Sequence, residues 1–345
     1  MNFIPHSKPT LNTKDIACVS HVLKSGTIAQ GKVVSEFEAQ VARFLGVKAG
    51  VATNSGTSAL HLALLALNIG PGDQVIMPSF VCSALLNAVF YTGAKVRIVD
   101  VKEDDFNISP LEVKKKLNKK VKAIIVPHMF GYPADLKELL SFGVPIIEDC
   151  AQSIGADYMG RRAGSFGVLS ICSFYATKVV TTGEGGMLLS NQTKILDRIR
   201  DLRQYDNALN FQTRFNYKMT DFQAALGLNQ LQRLPDFIKR RRQIAQMFDR
   251  AFAEAGLIIP PKAANRNPIF YRYVIKTKRR AKFFIELLKK NGIGSTLPVF
   301  KPLHQYVQGF RCPVSDQLMD QCVSIPIYPN LTDSQIRQIC NAVTS

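Results

Sequence analysis

Residues 49–67 read AGVATNSGTSALHLALLAL, and this stretch decides the fold class. Its first five residues form a short apolar run that is typical of a buried strand, and residues 57–67 have the character of a helix. A small, glycine-containing turn, Asn54–Ser58, joins the two. A strand that leads through a tight turn into a helix is the repeating element of α/β folds.

The same alternation continues through the first two-thirds of the chain. Helical character returns at residues 81–91, and apolar runs predict further strands at 74–77, 96–99, 122–127, 145–148, 168–175 and 186–190. Strands that alternate with helices predict an α/β fold in which a mostly parallel sheet is flanked by helices.

A long helical stretch from about residue 220 to 255 follows this alternation. Thr220 and Asp221 offer capping side chains at its start, and Pro235 should break or kink it. Beyond it, a strand at 271–276 and helices at 281–291 and 334–343 predict a smaller C-terminal α/β unit. We place the domain boundary near Pro235, with a large α/β domain at residues 1–235 and a small one at 236–345.

The composition is that of a globular protein with a strongly basic balance: 44 Lys and Arg against 26 Asp and Glu give a net charge of +18. Basic runs such as Lys114–Lys116 and Lys239–Arg242 are interpreted as solvated helix faces, with attraction of a polyanionic small substrate as the alternative. No nucleic-acid-binding motif appears, so we expect no nucleic-acid partner. The absence of a long apolar run predicts no membrane span, and a cytoplasmic location is expected.

The seven scattered cysteines and five histidines show no spacing typical of metal ligands, so no metal is expected. His128 follows a predicted strand and is interpreted as a packing or hydrogen-bonding side chain. Cysteine and histidine therefore do not indicate the chemistry of the protein. The candidates for it are the polar residues at the ends of the predicted strands.

Ligands of open α/β sheets bind beyond the carboxyl ends of the strands, and three segments there carry polar residues. The turn Asn54–Ser58 leaves backbone N–H groups at a helix N-terminus, which suits a phosphate. Asp149 ends an apolar strand and could hold a proton on a cofactor nitrogen. An ordinary helix cap would give the same pattern at either place.

Lys178 is the third candidate, since it follows the strand 168–175 and leads into the glycine-rich turn Gly183–Gly186. A lysine in a partly desolvated pocket becomes a good amine nucleophile, whereas a single lysine after a strand is more often a solvated charge. Together, a phosphate turn, an acid and a lysine match the three anchors of pyridoxal phosphate, which are its phosphate, ring nitrogen and aldehyde.

The sequence also resembles the DegT/StrS family of pyridoxal-phosphate-dependent sugar-nucleotide aminotransferases, which share fold type I with aspartate aminotransferase. The resemblance covers nearly the whole chain. The motifs that carry it are residues 25–31, 54–60, 91–95, 128–135, 148–152, 173–186, 216–221, 231–242 and 325–329.

The resemblance implies a role for each matching residue around the cofactor ring. Lys178 would be the catalytic residue that bonds to the aldehyde and carries protons, and Asp149 would pair with the ring nitrogen. Gln152 would hydrogen-bond the ring hydroxyl. Cys82 occupies the position at which the family commonly has an aromatic side chain stacked on the ring.

The family pattern also implies how the phosphate is held. Gly56, Thr57 and Ser173 would bind it, with Ser58 as a weaker candidate. Asn216 would reach the phosphate from the neighbouring subunit, which implies an active homodimer.

The implied activity is transfer of an amino group, with glutamate as the expected donor, to a keto sugar linked to a nucleoside diphosphate. Two alternatives stay open. One is a different pyridoxal-phosphate reaction on this fold, such as sugar dehydration or chemistry on a free amino acid. The other is a non-catalytic regulatory protein, which would have no need of Lys178 and Asp149.

Overall fold

A central sheet organises most of the chain in the computed structural model, which describes residues 3–206, 208–277 and 280–344. The strands of this described part are β1 Ala49–Thr53, β2 Gln74–Pro78, β3 Lys95–Val99, β4 Val121–Pro127, β5 Ile146–Asp149, β6 Asp157–Tyr158, β7 Arg161–Arg162, β8 Leu169–Ser173, β9 Gly186–Ser190, β10 Arg266–Asn267, β11 Tyr273–Lys276 and β12 Cys322–Ile325.

Seven of these strands form the central sheet, in the order β1-β9-β8-β5-β4-β2-β3. Neighbouring strands from β8 to β3 are parallel, whereas β9 lies antiparallel between β1 and β8. Alternate side chains enter two separate cores: Leu188 of β9 packs in one, and Met187 and Leu189 pack in the other. The predicted fold class, a mostly parallel sheet flanked by helices, is therefore confirmed.

The helices of the described residues pack on both faces of this sheet and around the second unit. They are α1 Thr13–Ser25, α2 Lys32–Leu45, α3 Gly56–Ala66, α4 Ala84–Tyr91, α5 Pro110–Lys116, α6 Leu136–Leu140, α7 Thr193–Arg203, α8 Asp221–Glu254, α9 Ala281–Lys290, α10 Pro313–Gln321 and α11 Asp333–Thr344. Within the parts of the chain described, no helix combines the length and the apolarity needed to cross a bilayer.

One helix starts later than the sequence predicts. Helix α4 begins at Ala84 and not at residue 81, because residues 79–83 form a loop after β2. The loop is pinned by Ser79, whose side chain lies 2.6 Å from Nδ1 of His304. This loop carries Cys82 and leaves its side chain exposed.

The long helix α8 runs unbroken through Pro235, so the predicted break does not occur. A proline inside a helix costs one hydrogen bond and brings a steric clash, together about 3 kcal/mol. Packing on both sides of Pro235 offsets this cost: Leu234 and Phe237 are buried in the core beneath the sheet, and Ile244 and Phe248 in the core of the second unit.

The second unit is built around the antiparallel pair β11 and β12, with α9, α11 and the C-terminal half of α8. The N-terminal segment also joins it, because Ile4 forms a bridge to Ile293 and is fully buried there. Since α8 contributes to both cores, we propose that the boundary between the two domains lies within this helix, near Pro235.

A buried carboxylate fixes the loop between β7 and β8. Glu148 on β5 is fully buried and accepts hydrogen bonds from the backbone N–H groups of Gly164, Phe166 and Gly167 at 2.6–2.7 Å. His128 donates from Nε2 to the same carboxylate at 3.1 Å, because its Nδ1 accepts from the backbone of Ala134. His128 is therefore a buried hydrogen-bonding residue, as the sequence analysis expected.

Replacing Glu148 by glutamine should lower the free energy of unfolding by about 3 kcal/mol, the cost of breaking a buried charged network. Burial alone would raise the pKa of Glu148, but the hydrogen bonds from His128 and the backbone lower it below its ordinary value. Its contribution is therefore present above the unfolded pKa of about 4.3 and is lost as the pH falls further.

Urea denaturation of both proteins at a series of pH values measures this difference. It should be large at neutral pH and shrink below about pH 4. The matched control is Glu112→Gln, which breaks a more exposed ion pair with Lys115 and should cost less than about 1 kcal/mol. Similar losses for the two variants would contradict the role assigned to Glu148.

Candidate active site

A cavity of about 250 Å³ lies at the carboxyl ends of the parallel strands. It brings together all three segments that the sequence analysis singled out. Its lining consists of Ser55, Gly56, Thr57, Leu60, Cys82, Ala84, Leu85, Asp149, Ala151, Ile171, Ser173, Tyr175, Lys178 and Glu184. Of the predicted site residues, Ser58, Gln152 and Asn216 lie outside this lining.

The first wall is the N-terminus of α3. Ser55 caps the helix by accepting a hydrogen bond from the Ser58 backbone at 3.1 Å. The N–H groups of Gly56 and Thr57 have no acceptor within the helix, because they belong to its first turn. These two donors and the positive end of the helix dipole face the cavity, which makes the wall suitable for an anion.

Gly56 allows this helix to approach the next wall closely. A Cβ atom at residue 56 would lie only 2.8 Å from Cβ of Ser173, so a side chain would push the two walls apart. The Ser58 hydroxyl, a weaker candidate for binding the phosphate, donates to Asn54 at 2.7 Å and contacts Ser55 at 2.9 Å. The Ser58 side chain thus builds the turn and does not line the cavity.

Asp149 forms the second wall, at the end of β5. Its side chain is 7% exposed, and one oxygen accepts a hydrogen bond from the Ala151 backbone at 2.9 Å. Burial raises the pKa of Asp149, although this hydrogen bond and the charge of Lys178 oppose the rise. A buried carboxylate with a raised pKa would be stabilised in its ionised form by a cation bound in the cavity.

Lys178 forms the third wall, in the loop after β8. Its ammonium lies 5.0 Å from the ring centroid of Tyr271, a residue two positions before β11 of the second unit. The Tyr271 hydroxyl in turn lies 3.2 Å from the Thr177 hydroxyl. Burial alone would raise the pKa of Tyr271, but the charges of Lys178 and the neighbouring Arg272 lower it to about 8.

Sequence reasoning missed Tyr271. It stands at the start of the apolar run 271–276, so its pattern is that of a core residue, and its contact with Lys178 spans 93 positions along the chain. Phe80 is the aromatic residue nearest to Cys82 in the sequence. It is fully buried, its ring centroid lies 5.9 Å from that of Phe106, and it does not line the cavity.

Two predicted residues lie beside the site without lining it. Gln152 accepts a hydrogen bond from the Phe130 backbone at 3.0 Å through its Oε1, which fixes the orientation of its amide. Asn216 is exposed, and its backbone carbonyl accepts from Asn54 at 3.3 Å. Within the described chain, no group of three or more His, Cys, Asp or Glu side chains is arranged to hold a metal ion.

Comparison with known proteins identifies the class to which this fold and site belong. The chain is a member of the DegT/DnrJ/EryC1/StrS aminotransferase family, whose model it matches over residues 9–344. The resemblance predicted from the sequence is thereby confirmed, and the protein is an enzyme of a family that depends on pyridoxal phosphate.

Individual relatives agree with this assignment. GDP-perosamine synthase from Escherichia coli O157:H7 is 32% identical, with 99% of this chain and 98% of the relative covered. The aminotransferase TlmJ from Streptoalloteichus hindustanus has a TM-score of 0.94 at 30% identity, covering 99% of this chain and 98% of TlmJ. The sugar aminotransferase Spr1654 from Streptococcus pneumoniae in its PLP form has a TM-score of 0.94 at 25% identity, covering 99% and 98%.

The contact between Lys178 and Tyr271 predicts an unusual titration. In cofactor-free protein, a UV-detected titration should show one tyrosine ionising at a pH of about 8, and Tyr271→Phe should remove that step. Lys178→Met should move the step to higher pH, because it removes the nearest positive charge.

Lys218 offers a matched control, since its ammonium lies 5.8 Å from the ring centroid of Tyr205, outside the cavity. Lys218→Met should leave the step near pH 8 in place. A step that keeps its pH in Lys178→Met would show that Lys178 does not set the acidity of Tyr271.

Proposed function

We propose that this aminotransferase uses pyridoxal phosphate to transfer an amino group from glutamate to a keto sugar linked to a nucleoside diphosphate. The observation that carries the proposal is a single cavity in which Lys178, Asp149 and the N-terminus of α3 face one another. These supply an amine, a buried acid and an anion site, which are the groups that the cofactor requires.

The donor set fits the cofactor in charge as well as in kind. Asp149 would hold a proton on the ring nitrogen. The resulting positive charge would stabilise the ionised form of Asp149 and so oppose the effect of burial, which raises its pKa. The backbone N–H groups of Gly56 and Thr57, with the hydroxyl of Ser173, would bind the phosphate. Gln152 would donate its amide N–H to the ring hydroxyl, since its Oε1 already accepts from Phe130.

When bound, pyridoxal phosphate supplies a conjugated ring that accepts an electron pair from a neighbouring carbon. Lys178 would hold the cofactor through its aldehyde, and its amine would carry the proton that moves during amino transfer. Cys82 lies in the cavity where the family commonly has an aromatic side chain, so this chain would hold the ring face with a smaller group.

A nucleotide-linked sugar as the amino acceptor is supported by the relatives. One of them is named GDP-perosamine synthase, and the solved structure of CalS13 from Micromonospora echinospora is that of a sugar aminotransferase. The net charge of +18 also favours a substrate that carries a diphosphate. Sugar dehydratases of this family have histidine at the position of Lys178, so the lysine favours amino transfer over dehydration.

The first test is the reaction of the purified enzyme, loaded with pyridoxal phosphate, with glutamate. We expect the visible absorbance of the cofactor to change and one 2-oxoglutarate to form per site. Lys178→Ala should slow this half-reaction by at least about 100-fold, because it removes the proton carrier. A wild-type enzyme that binds the cofactor and leaves glutamate unchanged would contradict the proposed donor.

The second test concerns the homodimer, which we propose because Asn216 is exposed and lies outside the cavity of its own chain. Asn216→Ala and Lys178→Ala should each be inactive as homodimers. A heterodimer of the two, purified through two different tags, should regain about half of the wild-type activity, since one of its two sites is intact.

The control heterodimer pairs a wild-type chain with a chain that carries both substitutions. If Asn216 serves the partner's site, this heterodimer has no intact site and should be inactive. The opposite pattern, with activity in the control and none in the first heterodimer, would show that Asn216 acts within its own chain.

A further inference from the structure

A second, smaller cavity lies next to Lys178, and three of its lining residues are Lys or Arg. We call it the arginine cavity and define it by Lys8, Thr177, Arg241, Tyr271 and Arg272. It has a volume of about 40 Å³, and none of its lining residues is acidic. Among the described residues, none of the salt bridges involves Lys8, Arg241 or Arg272.

Arg272 is half-buried, and one nitrogen of its guanidinium lacks a hydrogen-bond partner within the ranges described. Its Nη1 is buried without a hydrogen-bond partner in the described part of the protein. Buried polar atoms are nearly always hydrogen-bonded, so this nitrogen favours an acceptor bound in the cavity. Arg272 also borders a cavity of about 30 Å³, but the carboxylate there, Asp105, already pairs with Arg266 at 2.7 Å.

Arg241, on α8, is a second arginine of this cavity that has a nitrogen without a hydrogen-bond partner in the part of the chain described. Its Nη1 donates to the carbonyls of Phe270, Tyr271 and Ile327 at 2.8–3.2 Å, whereas its Nε is buried without a partner among the residues described. Burial lowers the pKa of Arg241 to about 10. An anion in the cavity would stabilise both guanidinium groups.

Tyr271 connects the arginine cavity to the reactive lysine. The ring centroid of Tyr271 lies 5.0 Å from Nζ of Lys178 and 5.8 Å from Cζ of Arg272. An amine that takes the place of Lys178 would therefore stand beside the same ring as the unpaired guanidinium. A small molecule that carries an amine and an anionic group close together fits this arrangement.

We propose that the arginine cavity binds a carboxylate of the amino donor, with Arg272 as the principal ligand. The proposal rests on the amino transfer from an amino acid proposed above. A planar guanidinium matches a carboxylate with two parallel hydrogen bonds. A water molecule needs roughly 10–15 Å³ of such space, so 40 Å³ accepts a group of carboxylate size and is too small for a nucleoside diphosphate.

The test compares the wild-type holoenzyme with Arg272→Gln in two measurements. Calorimetry gives the affinity for glutarate, a dicarboxylate with no amino group, and stopped-flow absorbance gives the apparent affinity and limiting rate with glutamate. Arg272→Gln should weaken both affinities by roughly 10- to 100-fold, the effect expected for a charge-assisted hydrogen bond. The limiting rate should change less than the affinity.

Two further variants make the result specific. Arg240→Gln removes a charge from the same region of α8, where the guanidinium pairs with Asp333 outside the cavity, and should leave both affinities unchanged. Arg272→Lys keeps the positive charge but cannot form the two parallel hydrogen bonds of a guanidinium. It should lose part of the affinity for glutarate and glutamate while preserving the fold. A melting temperature close to that of the wild type shows that each variant is folded.

Unchanged glutarate binding in Arg272→Gln would overturn the proposal, and so would a wild-type enzyme that binds no glutarate. A loss of affinity for GDP without a loss for glutarate would also overturn it, by assigning the cavity to the nucleotide phosphates. Failure of the proposed function looks different: the wild-type enzyme would then bind glutarate through Arg272 and leave glutamate unreacted.

Discussion

Two adjacent carboxylates on β5 receive opposite environments, and the site depends on this difference. Successive residues of a strand point to opposite faces, so Glu148 and Asp149 diverge although both are buried. Glu148 meets three backbone donors and His128, which lower its pKa, whereas Asp149 has one backbone donor and a raised pKa. Glu148 therefore completes the fold, whereas Asp149 keeps an oxygen for the ring nitrogen that we propose it binds.

Close backbone contact sets the other walls of the cavity. Strand β9 lies between β1 and β8, so the turn after β1 and the turn before β9 meet at one edge of the sheet. A Cβ atom at Gly186 would lie 2.2 Å from the carbonyl oxygen of Ser55, and one at Gly56 would lie 2.8 Å from Ser173. These glycines bring the N-terminus of α3 and the loop of Lys178 into the same cavity.

The sequence was sufficient for features that depend on neighbouring residues. Strands β1 and β9 have the predicted bounds, because a short apolar run between turn residues is a local signal. No local pattern predicts that β9 is antiparallel, because this direction follows from its pairing with β1, which lies more than 130 positions away in the sequence. Tyr271 and Arg272 were missed for the same reason: only the docking of the second unit brings them to Lys178.

The basic run Lys239–Arg242 shows how one pattern can hold two kinds of charge. The sequence pattern favours a solvated face for the whole run, and Lys239 is indeed exposed. Arg241 is buried instead, at 5% exposure, because the helical period turns it toward the carbonyls of Phe270, Tyr271 and Ile327. Net charge counts the two residues equally. The solvated charge can only raise the attraction of anions in general, whereas the buried one gives an anion a defined position near the reactive lysine.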